Sequence, residues 1–187
     1  MPHVPQELSR RTLGQGRFVA LEEICYRGSD GVERRWESAE RLGGRQAVLV
    51  IAELHPSRRL VLIRQFRPPA QAFVWEFPAG IIDAGENPAQ AAARELLEET
   101  GYRGTIDQIL PAAFSTPGLS SESVHTVRMT IDETLPENQR PVAAPDEGES
   151  IEVRLVARTA LAAFIAAETA AAQTRFDSKL LAYLCGQ

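Results

Sequence analysis

Glu95, Glu98 and Glu99 stand three and four residues apart, so on a helix their carboxylates share one face. Ala93, Leu96 and Leu97 fall on the other side, which gives such a helix one face for a core and one for chemistry. Clustered carboxylates repel one another unless a cation neutralises them, and hard divalent cations bound through oxygen do so. The chemistry within reach is the binding of a hard divalent cation. The bland alternative is an acidic, solvated surface. The helix itself is marked at both ends. Asn87 suits the N-cap, Pro88 the first helical position and Gly101 the position just past the end, which predicts a helix from Pro88 to about Thr100.

Seven positions around that helix, Gly80, Glu86, Arg94, Glu95, Glu98, Glu99 and Gly101, fit the pattern Gx5Ex7REUxEExGU, with Leu96 and Tyr102 at the apolar U positions. At background residue frequencies they coincide on the order of 10⁻⁸ times per start position. The pattern is the Nudix box, and the chain resembles the Nudix hydrolases, which cleave a diphosphate linked to some other moiety. The resemblance implies Mg²⁺, with Mn²⁺ as the alternative, held by Glu95, Glu98, Glu99 and the backbone carbonyl of Ala79. Arg94 and Glu98 also enter as catalytic candidates; for Arg94 the competing role is an ion pair with Glu86 that orients loop and helix.

The rest of the chain must position that site. With 187 residues it fits one ordinary domain with a small appendage. A formal charge of −5 and a pI near 5.3 argue against nucleic acid or an anionic membrane as the main partner. No run of eighteen apolar residues and no leader-like N-terminus are visible, so a soluble, cytoplasmic protein is expected. Cys25 and Cys185 form no disulfide framework, which suits a reducing compartment, and His3, His55 and His125 lack metal-ligand spacing.

Residues 1 to about 15 read as a loose arm or short leading strand, followed by two strands around the turn Gly28-Ser29-Asp30-Gly31. The Gly43-Gly44 pair marks a boundary, giving a small N-terminal β-rich unit at 1–44 and the main domain at 45–187. Residues 47–54 and 60–66 are apolar runs that read as adjacent buried strands, and 73–77 is a short strand leading into Pro78-Ala79-Gly80. Residues 105–114 and 124–132 are further strand candidates, while the acidic stretch 133–149, with Pro136, Pro141 and Pro145, is a long loop, disordered or functional. Beyond a strand at 151–156, an alanine-rich helix at 159–173 and a closing helix at 176–185 complete the pattern. Mixed strands with a central and terminal helices argue for an α/β fold, the α/β/α sandwich with mixed sheet that the resemblance also implies.

Within the Nudix hydrolases the chain is most similar to the ADP-ribose pyrophosphatases, over nearly its whole length. Pro117 lies sixteen residues after Gly101, the spacing associated with that subgroup, and Gln65-Phe66-Arg67-Pro68-Pro69, Trp75-Glu76-Phe77-Pro78-Ala79-Gly80, Arg35-Trp36-Glu37-Ser38 and Glu147-Gly148-Glu149 resemble its other segments. The roles this implies fall on named residues. Trp36 would stack on adenine, with Glu37 accepting from the amino group and Phe18 completing the clamp; the alternative for Trp36 is a core aromatic. Arg67 offers a planar fork for the diphosphate, against the alternative of a surface ion pair, and Arg41 and Gly118 join the substrate-side set. Glu149, with Glu147 as the alternative, would take the proton from the attacking water. The resemblance also implies a homodimer in which the N-terminal units swap across.

The expected function is metal-dependent hydrolysis of ADP-ribose to AMP and ribose 5-phosphate. A GDP- or UDP-sugar hydrolase is the alternative within the same chemistry. A sensor that binds ADP-ribose without cleaving it is the alternative outside it, and that reading expects an eroded box.

Overall fold

The computed structural model describes residues 4–43, 46–145, 148, 150–170 and 174–186. The chain opens with three antiparallel strands, β1 (Gln6–Gln15), β2 (Val19–Arg27) and β3 (Glu33–Arg41). Next, β4 (Gln46–His55), β5 (Arg59–Arg67), β6 (Ala72–Glu76) and β7 (Ala79–Ile81) lead into α1 (Pro88–Thr100). There follow β8 (Thr105–Ile109), β9 (Ala113–Phe114), β10 (Ser123–Asp132), the single turn α2 (Pro136–Gln139) and β11 (Ile151–Ala157). The last elements are α3 (Leu161–Thr169), β12 (Thr174–Phe176) and α4 (Ser178–Cys185).

β1 to β3 make a sheet of their own, and the other nine strands form one mixed sheet in the order β12-β6-β5-β4-β10-β8, with β7 added to β4, β9 to β10 and β11 to β5. Alternation along β4 explains the layers on either side of it. Val48, Val50, Ala52 and Leu54 pack with Ala91, Ala92 and Leu96 of α1, whereas Leu49 and Ile51 pack with Leu161 of α3 and Leu180 of α4. The outcome is the expected α/β/α sandwich beside a small β-rich unit. Among the described residues, no helix is long and apolar enough to cross a membrane.

One departure from a regular sheet makes room for the site. β4 and β5 pair at Glu53–Leu60 and Leu54–Arg59 and then part, β4 taking β7 as its neighbour and β5 taking β11. A groove opens between them at the end of the sheet where β4 begins.

Several elements differ from expectation. Of the two readings of the opening stretch the leading strand holds, and it runs to ten residues because it gains β2 as a ladder partner. The alanine-rich helix is shorter, with α3 preceded by a 3₁₀ turn at Arg158–Ala160, and residues 171–173 of the expected helix lie outside the described residues. Strand β12 was not legible, since three residues between two helical patterns acquire a strand identity only by pairing with β6. The closing helix therefore starts at Ser178, with Asp177 as its N-cap. On α1, Ala93 is exposed rather than on the packed side, and Glu99 is buried at 5% exposure: the packed arc is centred on Ala92 and Leu96, and Glu99 lies at its border.

Candidate active site

The helix α1 begins with a reciprocal capping box: the Asn87 side chain accepts from the N–H groups of Ala89 and Gln90, and the Gln90 side chain accepts from Asn87 N–H. It ends at Gly101, whose φ of 76° is left-handed and whose missing Cβ admits the Val142 backbone, 2.4 Å from where a methyl would stand. Both ends being set, the helix presents Glu95, Glu98 and Glu99 to the groove.

The groove is a cleft of about 560 Å³. Gly80 on β7 faces Glu95 so closely that a Cβ there would come within 1.8 Å of Oε1, which is the physical reason for a glycine at that position. Ala79 N–H donates to Glu99 Oε2 at 3.1 Å, fixing a buried carboxylate beneath β7. Arg94 organises the remaining acids. Its Nε and Nη2 donate to the two Glu86 oxygens at 2.9 Å each, its Nη1 to Glu95 at 2.8 Å and Glu98 at 3.0 Å, and its Nη2 to Ile81 O at 3.0 Å. Glu86, with Glu95 and Glu98, holds the Arg94 guanidinium more firmly protonated than a free arginine, and Arg94 in turn holds Glu86 below the usual carboxylate range. The Arg94–Glu86 ion pair is present, and it orients the site.

Among the described residues lining the cleft are seven carboxylate side chains and four cationic ones, so an anionic diphosphate needs added positive charge to enter. Ala79, Glu95, Glu98 and Glu99 all line one wall and offer only hard oxygen donors, which fits a divalent cation of the Mg²⁺ type. As placed, no three His, Cys, Asp or Glu side chains among the described residues close around one point, and Arg94 Nη1 donates to both Glu95 and Glu98. Glu95 occupies the space that a side chain at position 80 would take.

The expected substrate-side residues are divided. Arg67 lines the cleft, but its fork is engaged by Glu76, Nε to Oε1 and Nη2 to Oε2, both at 3.0 Å. Burial pushes the Glu76 carboxyl up, opposed by Arg67 and reinforced by Asp177. Arg41 lines the cleft and donates to Glu122 at 2.8 Å. Trp36 is half exposed, so it is no core aromatic; that place belongs to Trp75. The Trp36 Nε1–H donates to Gly118 O at 3.0 Å. Phe18 is exposed under the Arg17 guanidinium, and neither it, Trp36 nor Glu37 lines the cleft of its own chain. Strand alternation also separates two of them: Trp36 and Glu37 are neighbours on β3 and so face opposite sides of the sheet. The small sheet is fastened to the loop of residues 118–122 by Ala39 N–H and Ser38 Oγ to Leu119 O, and by Ser121 to the buried Glu40.

Glu149 and Glu147 lie outside the described residues. On either side of them, Pro145 lines the cleft and Ile151 pairs with Gln65, another lining residue. Sequence reasoning missed Glu76, Glu122, Asp177 and Lys179 as lining residues. Glu76 stood inside a segment already singled out, and Asp177 was readable as an N-cap. Nothing local pointed Lys179 at the cleft.

Comparison with known proteins bears on the family and the fold. The NUDIX domain family matches residues 43–178. The chain is 37% identical over 182 residues to an ADP-sugar pyrophosphatase of Mus musculus, covering 94% of this chain and 84% of that one. It is 39% identical over 144 residues to an ADP-ribose pyrophosphatase of Saccharomyces cerevisiae, covering 73% and 62%. Among solved structures, an ADP compounds hydrolase superposes with a TM-score of 0.71 over 89% of this chain and 85% of that one; at 22% identity this likeness concerns the fold.

Proposed function

We propose, from the premise that the chain belongs to the NUDIX domain family, that this pyrophosphatase hydrolyses ADP-ribose to AMP and ribose 5-phosphate. Its relatives' names, ADP-sugar and ADP-ribose pyrophosphatase, support hydrolysis of ADP-sugars as the reaction class. The observation that carries the reading is the Glu95 carboxylate seated on Gly80, with Glu98 and Glu99 beside it on one wall of the cleft.

Ala79, Glu95, Glu98 and Glu99 would hold the divalent cation, Mg²⁺ in this reading. When bound, that cation neutralises the diphosphate and lowers the pKa of the attacking water. The protein's own groups do the rest. Arg94 braces Glu95 and Glu98 against their mutual repulsion, and Gly80 keeps the wall open where a larger residue would displace Glu95. Glu149, with Glu147 as the alternative, accepts the water proton; the support for it is that Pro145 on one side lines the cleft and Ile151 on the other pairs with Gln65, a lining residue. Arg67 reaches the diphosphate from its pair with Glu76, which orients the fork.

The same reading includes a homodimer whose N-terminal sheets cross over, exchanging the contacts to residues 118–122 between chains. Its support is that Phe18 and Trp36 stand exposed without lining their own cleft. A monomeric mass in solution at working concentration sinks this part. The reaction is tested by incubating the protein with Mg²⁺ and ADP-ribose, ADP-glucose, GDP-mannose or UDP-glucose and separating the products. AMP and ribose 5-phosphate in equal amounts, with ADP-ribose turned over fastest, is the expected result. Equal or faster turnover of GDP-mannose overturns the substrate assignment.

A further inference from the structure

α4 brings a cation to the cleft from the side of the sheet opposite α1. Leu180 packs under Leu49, on the face turned away from Ala91, Ala92 and Leu96, yet Asp177 and Lys179 line the same cleft as Glu95, Glu98 and Glu99. The placement is anchored. Asp177 N–H donates to Trp75 O at 3.0 Å, which ties the start of α4 to the end of β6, and the Asp177 side chain caps the helix through Lys179 N–H at 2.7 Å.

A lysine in this first turn runs against local preference, because the N-terminal end of a helix carries positive charge and disfavours a cation. Its bond to Asp177 offsets that cost, with Nζ 3.0 and 2.9 Å from the two carboxylate oxygens. A partly exposed pair of this kind contributes little to stability, so folding alone does not account for it. Local rules are broken mostly at functional or strained sites, and this one lines the cleft. An ammonium has three donors, and a carboxylate facing it on one side leaves capacity for a further oxygen.

We propose that Lys179, held by Asp177, is a direct contact for the diphosphate of the substrate, gripping it from the wall opposite the acidic helix. The inference rests on the diphosphate-cleaving reaction proposed above. It makes Lys179 a substrate-binding residue and Asp177 its positioning residue. The diphosphate then lies between the carboxylate wall of α1 and a cation of α4.

The test is equilibrium binding of α,β-methylene-ADP, a diphosphate that is not cleaved, to the unaltered protein and to the Lys179→Met and Lys179→Met/Asp177→Asn variants with Mg²⁺ present. The double variant leaves the formal charge of the cleft unchanged, and Asn retains the helix cap. Both variants are expected to bind about tenfold more weakly, as for the loss of one charge-assisted hydrogen bond. Their thermal midpoints should stay within about 2 °C of the original, since a partly exposed pair adds little. Lys179→Arg should recover part of the affinity. Binding by the double variant as tight as the original overturns the inference, as does a loss of affinity that tracks a loss of thermal stability. Turnover of ADP-ribose, followed on the same preparations, separates the two claims: no cleavage by the unaltered protein overturns the proposed reaction, while the binding ratio judges Lys179.

Discussion

The backbone N–H of Ala79 donates to Glu99 Oε2 at 3.1 Å, so the last acid of the helix is tied to the strand on which the box begins. The bond joins residues twenty positions apart and gives a carboxylate at 5% exposure one of its hydrogen-bond partners. Glu99→Gln keeps an acceptor for that N–H while removing the charge. Turnover should fall on the order of 10²–10³-fold, the scale of losing one preorganised electrostatic group. The thermal midpoint should move little. Full activity in steady-state assays refutes a cation-binding role for Glu99.

Gly80→Ala tests the seat of Glu95 on Gly80 directly. A Cβ within 1.8 Å of Glu95 Oε1 forces that carboxylate off the wall, because β7 is held to β4 and cannot yield freely. Activity should drop about 10-fold or more, with a higher Mg²⁺ concentration needed for half-maximal rate. An unchanged Mg²⁺ titration counts against Glu95 as a ligand.

Glu76 should leave a signature in pH. Burial raises its carboxyl pKa, so the stabilisation from its protonated form is fully present below the ordinary carboxylate value and is lost as pH rises through the raised one. Glu76→Gln cannot titrate. The difference in thermal midpoint, variant minus original, should therefore increase between about pH 4 and pH 8, by about 2–4 °C for each 1 kcal/mol of linkage. A difference flat with pH contradicts the raised value.

Glu149→Gln should lower kcat strongly, by about 10²–10⁴-fold for loss of a general base, with substrate binding retained. Measuring kcat and KM separately decides it. A normal kcat moves the base to another residue, with Glu147→Gln the next variant to assay.

The spacing of the box residues, the capping signals at Asn87, Pro88 and Gly101, and the apolar runs of β4 and β5 were all legible, since helix and strand periodicity act over a few residues. They sufficed for the α/β/α layers and for the carboxylate wall. What no local pattern contained was pairing between distant segments. β12 exists through β6, and Arg67 is turned toward Glu76. Lys179 reaches the cleft because α4 starts where β6 ends, a hundred residues earlier in the chain. The amino-acid sequence by itself determined which chemistry the helix α1 carries. Tertiary structure decided which charges surround it, because side-chain surroundings in a sheet are set by long-range register.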